Sequence, residues 1–87
     1  MKYFTISELC NSVTAVKFGI DNTPGREVTD SLTALVNNIL DPLRERYGKP
    51  IKVTSGYRSP KLNRVVRGAP NSQHMVGEAV DITCDDN

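Results

Sequence analysis

The chain has 87 residues, enough for one small domain with a modest core, since a chain of this size buries about 60–65% of its unfolded surface. Hydrophobic residues make up 38% and charged residues 24%, a balance that excludes an intrinsically disordered segment. A net charge of +1, no run of about 18 apolar residues, and an N-terminus (MKYFTISE) without an apolar signal core predict no membrane span and a product that is cytoplasmic as synthesised.

The first predicted element is a short helix from about Ile6 to Ser12. Thr5-Ile6-Ser7-Glu8 fits a capping box, with Thr5 at the N-cap and Glu8 at the third helical position. Phe4 and Leu9 are placed to staple across that start. Residues 13–23 read as a loop punctuated by Gly19, Asp21 and Asn22. Thr23-Pro24 then predicts a helix start, because proline suits the first turn. The clearest periodicity follows. Val28, Leu32, Leu35, Val36, Ile39, Leu40, Leu43 and Tyr47 recur at spacings of three and four, which makes one helical stripe. Pro42 lies inside it and predicts a kink near residues 38–41, and Gly48 stops the helix.

Ile51-Lys52-Val53-Thr54 alternates apolar and polar residues, as a half-buried strand does. Ser55-Gly56-Tyr57-Arg58 leaves it as a loop. Ser59-Pro60 starts another helix, with Ser59 as N-cap, Pro60 at the first position, and Leu62, Val65 and Val66 as its apolar side. Glu78 to Thr83 reads as a second strand that buries Ala79, Val80 and Ile82. The two cysteines, Cys10 and Cys84, are too far apart in sequence to make a disulfide framework and are expected as free thiols. The cations between Arg44 and Arg67 face a single acid, Glu45, so the middle of the chain is basic. Such a segment is a solvated face, or a field that attracts phosphate or an anionic wall polymer. Only Tyr47 and Tyr57 interleave with those cations and no binding motif accompanies them, so no nucleic-acid partner is expected.

The stretch Ser72 to Asp81 reads S-x-H-x-x-G-x-A-x-D and holds the only histidine. Imidazole nitrogen and carboxylate oxygen are both good zinc ligands. Gly77 lets the chain turn, so His74 and Asp81 can point at one ion; seven residues of straight strand would set them on opposite faces. Two ligands do not hold zinc, and a catalytic site uses about three protein ligands and an open position. Cys10, Glu78, Cys84, Asp85 and Asp86 remain open as further donors. The competing reading is a structural His–Asp pair.

These residues resemble the zinc-binding motif of the D-alanyl-D-alanine carboxypeptidase family, metallopeptidases of the hedgehog-type fold that cut D-Ala-containing cell-wall peptides. The upstream S-G-Y-R-S element of that family corresponds to Ser55-Gly56-Tyr57-Arg58-Ser59. The stretch Gly48 to Ile82 looks like the short branch found in phages and prophages, and so do Phe4 to Ser12 and Gly19-Ile20-Asp21-Asn22-Thr23-Pro24. The resemblance implies an α+β fold in which a small antiparallel sheet is packed by helices, with residues 1–87 as a single peptidase-like domain. The family's third motif, which brings a catalytic glutamate and a second histidine beside a tryptophan, has no counterpart here. The chain therefore looks like the N-terminal portion of a catalytic domain, incomplete at its C-terminus, with a free strand edge through which it would self-associate.

The same resemblance implies the chemistry. His74 and Asp81 are the Zn²⁺ ligands, and Arg58 and Ser72 meet the peptidoglycan peptide. The Arg58 fork suits a carboxylate or a developing oxyanion. Tyr57 packs behind the site, Gly77 sets the backbone, and Ala79 packs closely behind the metal. Glu78 faces solvent and is not the general base, which the family takes from its third motif. A partner for the other nitrogen of His74 is expected, though the residues do not name it. The alternative is a non-catalytic relative that binds cell-wall peptide through Arg58 and Ser72.

Overall fold

Thr5 ends an extended N-terminal segment and starts helix α1, Ile6–Cys10, by accepting the Glu8 amide on its hydroxyl at 3.1 Å. Phe4 and Leu9, the expected staple, are both buried in the main core. The computed structural model describes residues 1–84; Asp85 and Asp86, named above as possible donors, lie outside them.

The loop expected from residue 13 instead opens with a second helix, α2, Val13–Lys17. Ser12 caps it through Ala15 N at 3.1 Å, and Ala15 packs with Ile20 and Leu62 in a small second cluster. One cap and one buried alanine hold this single turn, which is too short to show a period in sequence.

Helix α3 spans Arg26–Leu35 with Gly25 at its N-cap. Thr23-Pro24 therefore precedes the helix rather than opening it. Asp21 accepts the Thr23 amide at 3.0 Å and holds that stretch in a local turn. The long stripe continues through a π-helical turn, Val36–Leu40, into α4, Asp41–Tyr47, which ends at Gly48. The irregularity foreseen at Pro42 thus takes the form of a wide turn. Its last bond runs from Asp41 N to Val36 O, and Pro42, which has no amide proton to donate, follows directly in the first turn of α4. Leu32, Val36 and Leu40 are buried, with Val28, Leu35 and Tyr47 partly so. Ile39 and Leu43, expected on the same stripe, are 55% and 40% exposed because the wide turn changes the phase of the residues around it. Asp41 is itself buried and accepts the backbone amides of Lys2 and Tyr3 at 2.6 and 3.0 Å, tying the N-terminus to α4.

Strand β1, Ile51–Ser55, pairs antiparallel with β2, Asp81–Cys84. The second strand starts three residues later than the sequence suggests, since Glu78, Ala79 and Val80 still belong to the turn that leads into it. Lys52 faces Thr83 and Val53 faces Ile82, but Ser55 faces Asp81, so Thr54 is the extra residue of a bulge. The Thr54 hydroxyl donates to Asp81 O at 3.1 Å. Among the described residues the sheet has two strands, and each has one edge without a strand beside it. Helix α5, Pro60–Val65, starts as expected: Ser59 Oγ accepts Leu62 N at 3.2 Å. Only Leu62 of its apolar residues is buried; Val65 and Val66 are exposed, because the helix ends at Val66 before a second apolar turn can reach the core. The fold is α+β, with a small antiparallel sheet against helices.

Candidate active site

A one-turn 3₁₀ helix, Gln73–Val76, carries His74. Ser72 caps it, accepting His74 N on its hydroxyl at 3.2 Å. Gly77 then reverses the chain with φ 75°, and Glu78 N closes the turn on Gln73 O at 3.1 Å. A Cβ on Gly77 would stand 2.8 Å from Val28 O, so this turn sits directly on α3. The reversal does what the spacing demanded: His74 Nε2 lies 3.6 Å from Asp81 Oδ2. The bulge at Thr54 sets Asp81 at that end of the sheet.

The other ring nitrogen is fixed as well. His74 Nδ1 is 2.8 Å from Gly56 O, and a carbonyl can only accept, so Nδ1 carries the proton. In the neutral ring Nε2 is then a lone-pair donor facing a carboxylate oxygen, and neither has a proton to offer the other. Such a pair calls for a cation between the atoms or for a second proton on the ring. Gly56 holds its carbonyl in place because β1 leaves the sheet against α1. A Cβ there would collide with Leu9 O, which accepts the next amide, Tyr57 N, at 2.8 Å.

Arg58 joins the same constellation. Its backbone amide donates to His74 O at 3.1 Å, and its Nη2 donates to Ser72 Oγ at 3.1 Å. Its Nε is buried with no partner among the described residues. A groove of ≈ 580 Å³ opens beside it, lined by Glu8, Ser12, Lys52, Thr54, Arg58 and Leu62. A hollow of ≈ 650 Å³ beside Ile39, Pro42 and Leu43 lies on the helices and holds none of the four predicted residues. His74, Asp81, Arg58 and Ser72 are thus brought together by two loops.

The other candidate donors stand apart. Cys84 pairs with Ile51 at the far end of β2, and Cys10 closes α1. Glu78 is exposed, as expected, and borders Ser31 and Leu35 of α3. Among the described residues no group of three or more His, Cys, Asp and Glu side chains is suited to a metal. His74 and Asp81 would therefore supply two ligands of a zinc site, their donor atoms lying 3.6 Å apart, and the Gly56 carbonyl orients the ring as bound histidines require. Tyr57 is buried, and burial pushes its phenol up, with Cys10 and Asp21 adding to the shift. That suits a packing residue better than a proton carrier.

The model of the peptidase M15 family matches residues 2–87. The chain belongs to that family. Its similarity extends to the zinc D-Ala-D-Ala carboxypeptidase of Streptomyces albus G, which is 48% identical over 44 residues. That stretch covers 49% of this chain and 17% of the Streptomyces protein. No solved structure matches. The sequence did not name two features of this candidate site, although a partner for the second nitrogen of His74 was expected. The partner of His74 Nδ1 is a backbone carbonyl, which no side chain announces. Asn22 reaches the Arg58 loop from more than 30 residues away.

Proposed function

We propose that this M15 chain carries the ligand-binding half of a zinc peptidase site that acts on D-Ala-containing peptidoglycan peptides. The observation that carries this reading is the approach of His74 Nε2 to Asp81 Oδ2 at 3.6 Å with the Nδ1 proton held by Gly56 O. The name of the Streptomyces relative supports the choice of metal and substrate class.

His74 and Asp81 would hold the ion, which when bound polarises the scissile carbonyl and acidifies a water. Gly56 keeps the proton on Nδ1, so Nε2 stays available. Arg58 presents its guanidinium fork to the carboxylate of the substrate, and Ser72, held by Arg58 Nη2 and His74 N, keeps that fork beside the histidine. The resemblance assigns the general base and the second histidine to a further motif.

Calorimetric titration of Zn²⁺ into the metal-free chain tests the reading, with His74→Ala and Asp81→Asn alongside. One-to-one binding lost in both variants supports it. Equal binding by wild type and His74→Ala overturns it. A chain that ignores zinc but loses stability in both variants would mark a structural His–Asp pair. A peptide bound equally with and without Zn²⁺ and left uncut, with the Arg58→Ala variant failing to bind it, would identify the non-catalytic relative. Self-association through the strand edges is checked by sedimentation at two concentrations; an unchanged monomer removes it.

A further inference from the structure

Asn22 sits in the loop between α2 and α3, in a place where asparagine ordinarily serves a local turn. Here the local turn belongs to its neighbour, since Asp21 takes the Thr23 amide. The half-buried Asn22 side chain faces the other way and engages three distant backbone groups. Its Nδ2 donates to Cys10 O at 2.9 Å and to Tyr57 O at 3.0 Å, and its Oδ1 accepts Ser59 N at 2.7 Å. Two of these groups are the peptide units on either side of Arg58. The third is one of the last carbonyls of α1, which the helix itself leaves unpaired.

We infer that Asn22 is a positioning residue for Arg58, setting where the guanidinium fork stands relative to His74. This rests on the role proposed for Arg58 above. The backbone around Arg58 is held at four points: Tyr57 N on Leu9 O, Tyr57 O on Asn22, Arg58 N on His74 O, and Ser59 N on Asn22. Asn22 supplies two of the four and ties them to the end of α1. A primary amide suits the task because it offers two donors and one acceptor in a plane. Aspartate keeps the acceptor for Ser59 N but sets a carboxylate against two carbonyls. Alanine leaves all three groups unpaired. The orientation of the amide follows from its partners, since two carbonyls can face only the NH₂.

The test compares wild type, Asn22→Ala, Asn22→Asp, Arg58→Ala and the Asn22→Ala/Arg58→Ala double variant. Three quantities are read on each: amide hydrogen exchange at Arg58 and Ser59 against Leu9 and Leu32, affinity for Zn²⁺, and preference for a peptide ending in a free D-Ala-D-Ala carboxylate over its C-terminal amide. The expected result for both Asn22 variants is faster exchange at Arg58 and Ser59 with core protection kept. Zinc affinity should be unchanged, and the carboxylate preference should fall by about tenfold. The double variant should be no worse than Arg58→Ala. An intact preference in Asn22→Asp overturns the inference. So does a loss of preference that arrives together with lost zinc affinity and lost core protection, which would mark a merely structural residue. If wild type shows no carboxylate preference, the proposed role of Arg58 falls. Exchange then decides for Asn22: unchanged rates at Arg58 and Ser59 overturn its positioning role, and faster rates confined to those amides support it.

Discussion

The helical segment from Arg26 to Tyr47 and the loop from Gly56 to Ser59 are both firmly placed, yet by different means. In the helices, Leu32, Val36 and Leu40 are buried against Phe4, Leu9, Ile51 and Tyr57, and the holding force is apolar area removed from water. In the loop, Tyr57 adds its ring to that core, but Gly56 has no side chain and Arg58 is partly exposed, so the placing of Arg58 comes from single hydrogen bonds to Leu9 O, Asn22 and His74 O. Apolar burial is non-directional and shared among many contacts, whereas each of those bonds is directional and irreplaceable. Core damage should therefore lower the stability of the whole chain, and loss of a hydrogen bond to the Arg58 backbone should change chemistry with a smaller loss of stability.

Leu32→Ala gives the largest expected effect. Its side chain is fully buried, and truncation should cost about 2–5 kcal/mol, read as a lowered urea midpoint. The comparison would break if the site survived unchanged, because a Cβ on Gly77 would stand 3.2 Å from Leu32 Cγ, so the turn after His74 rests on this residue. Gly56→Ala comes next. The new Cβ would collide with Leu9 O, so β1 must shift from α1, at a cost of about 1–3 kcal/mol. The sharper readout is the His74 ring by NMR: displacing Gly56 O should release the Nδ1 proton and mix the tautomers.

A smaller effect should appear with pH. Burial pushes the Cys10 thiol up, and burial first, then the charges of Cys10 and Asp21, push the Tyr57 phenol up. Both groups are neutral when protonated. Their contribution is complete below the pKa of the unfolded chain and is lost as pH rises through the raised folded value. Stability should hold to about pH 8.5 and decline above it, Cys10 acting before Tyr57. Denaturant midpoints at stepped pH check this, with Cys10→Ala removing the earlier part. Exposed Cys84 should react with a thiol reagent well before Cys10. The smallest change is a gain. Arg67 follows α5 with φ 58°, and Gly68 N bonds back to Asn63 O at 2.8 Å, a helix end that favours glycine. Arg67→Gly should leave the site unaltered and raise stability by a few tenths of a kcal/mol.

Much of the fold was legible because local signals and burial agreed. Thr5 and Ser59 cap the helices they were expected to cap, and Leu32, Val36 and Leu40 face the core. The strands were legible as runs, but the bulge at Thr54 was not, since an extra residue in one strand shows only against its partner. At the site, the His74–Asp81 spacing and Gly77 suggested convergence, and the chain does turn there. What escaped were bonds from side chains to distant backbone, Asn22 to the Arg58 loop and Asp41 to the N-terminus. They leave no period and no composition bias, and only the folded path brings their ends together.

The π turn at Val36–Leu40 has a consequence for how this chain tolerates a change in length. A turn closed over five residues instead of four contains one residue more than an α-helix needs. Val28, Leu32, Val36 and Leu40 are spaced by fours, and in an unbroken α-helix each such step would drift by about 40°. The wide turn takes that drift back and works as a vernier between the two halves of the helix. Winding the same residues as a regular α-helix would rotate everything beyond the turn by about 100° and carry Asp41 away from the amides of Lys2 and Tyr3, whereas deleting exposed Asn37 should restore regular winding and leave Asp41 in place. By absorbing its spare residue, the wide turn keeps the two ends of this helix in step.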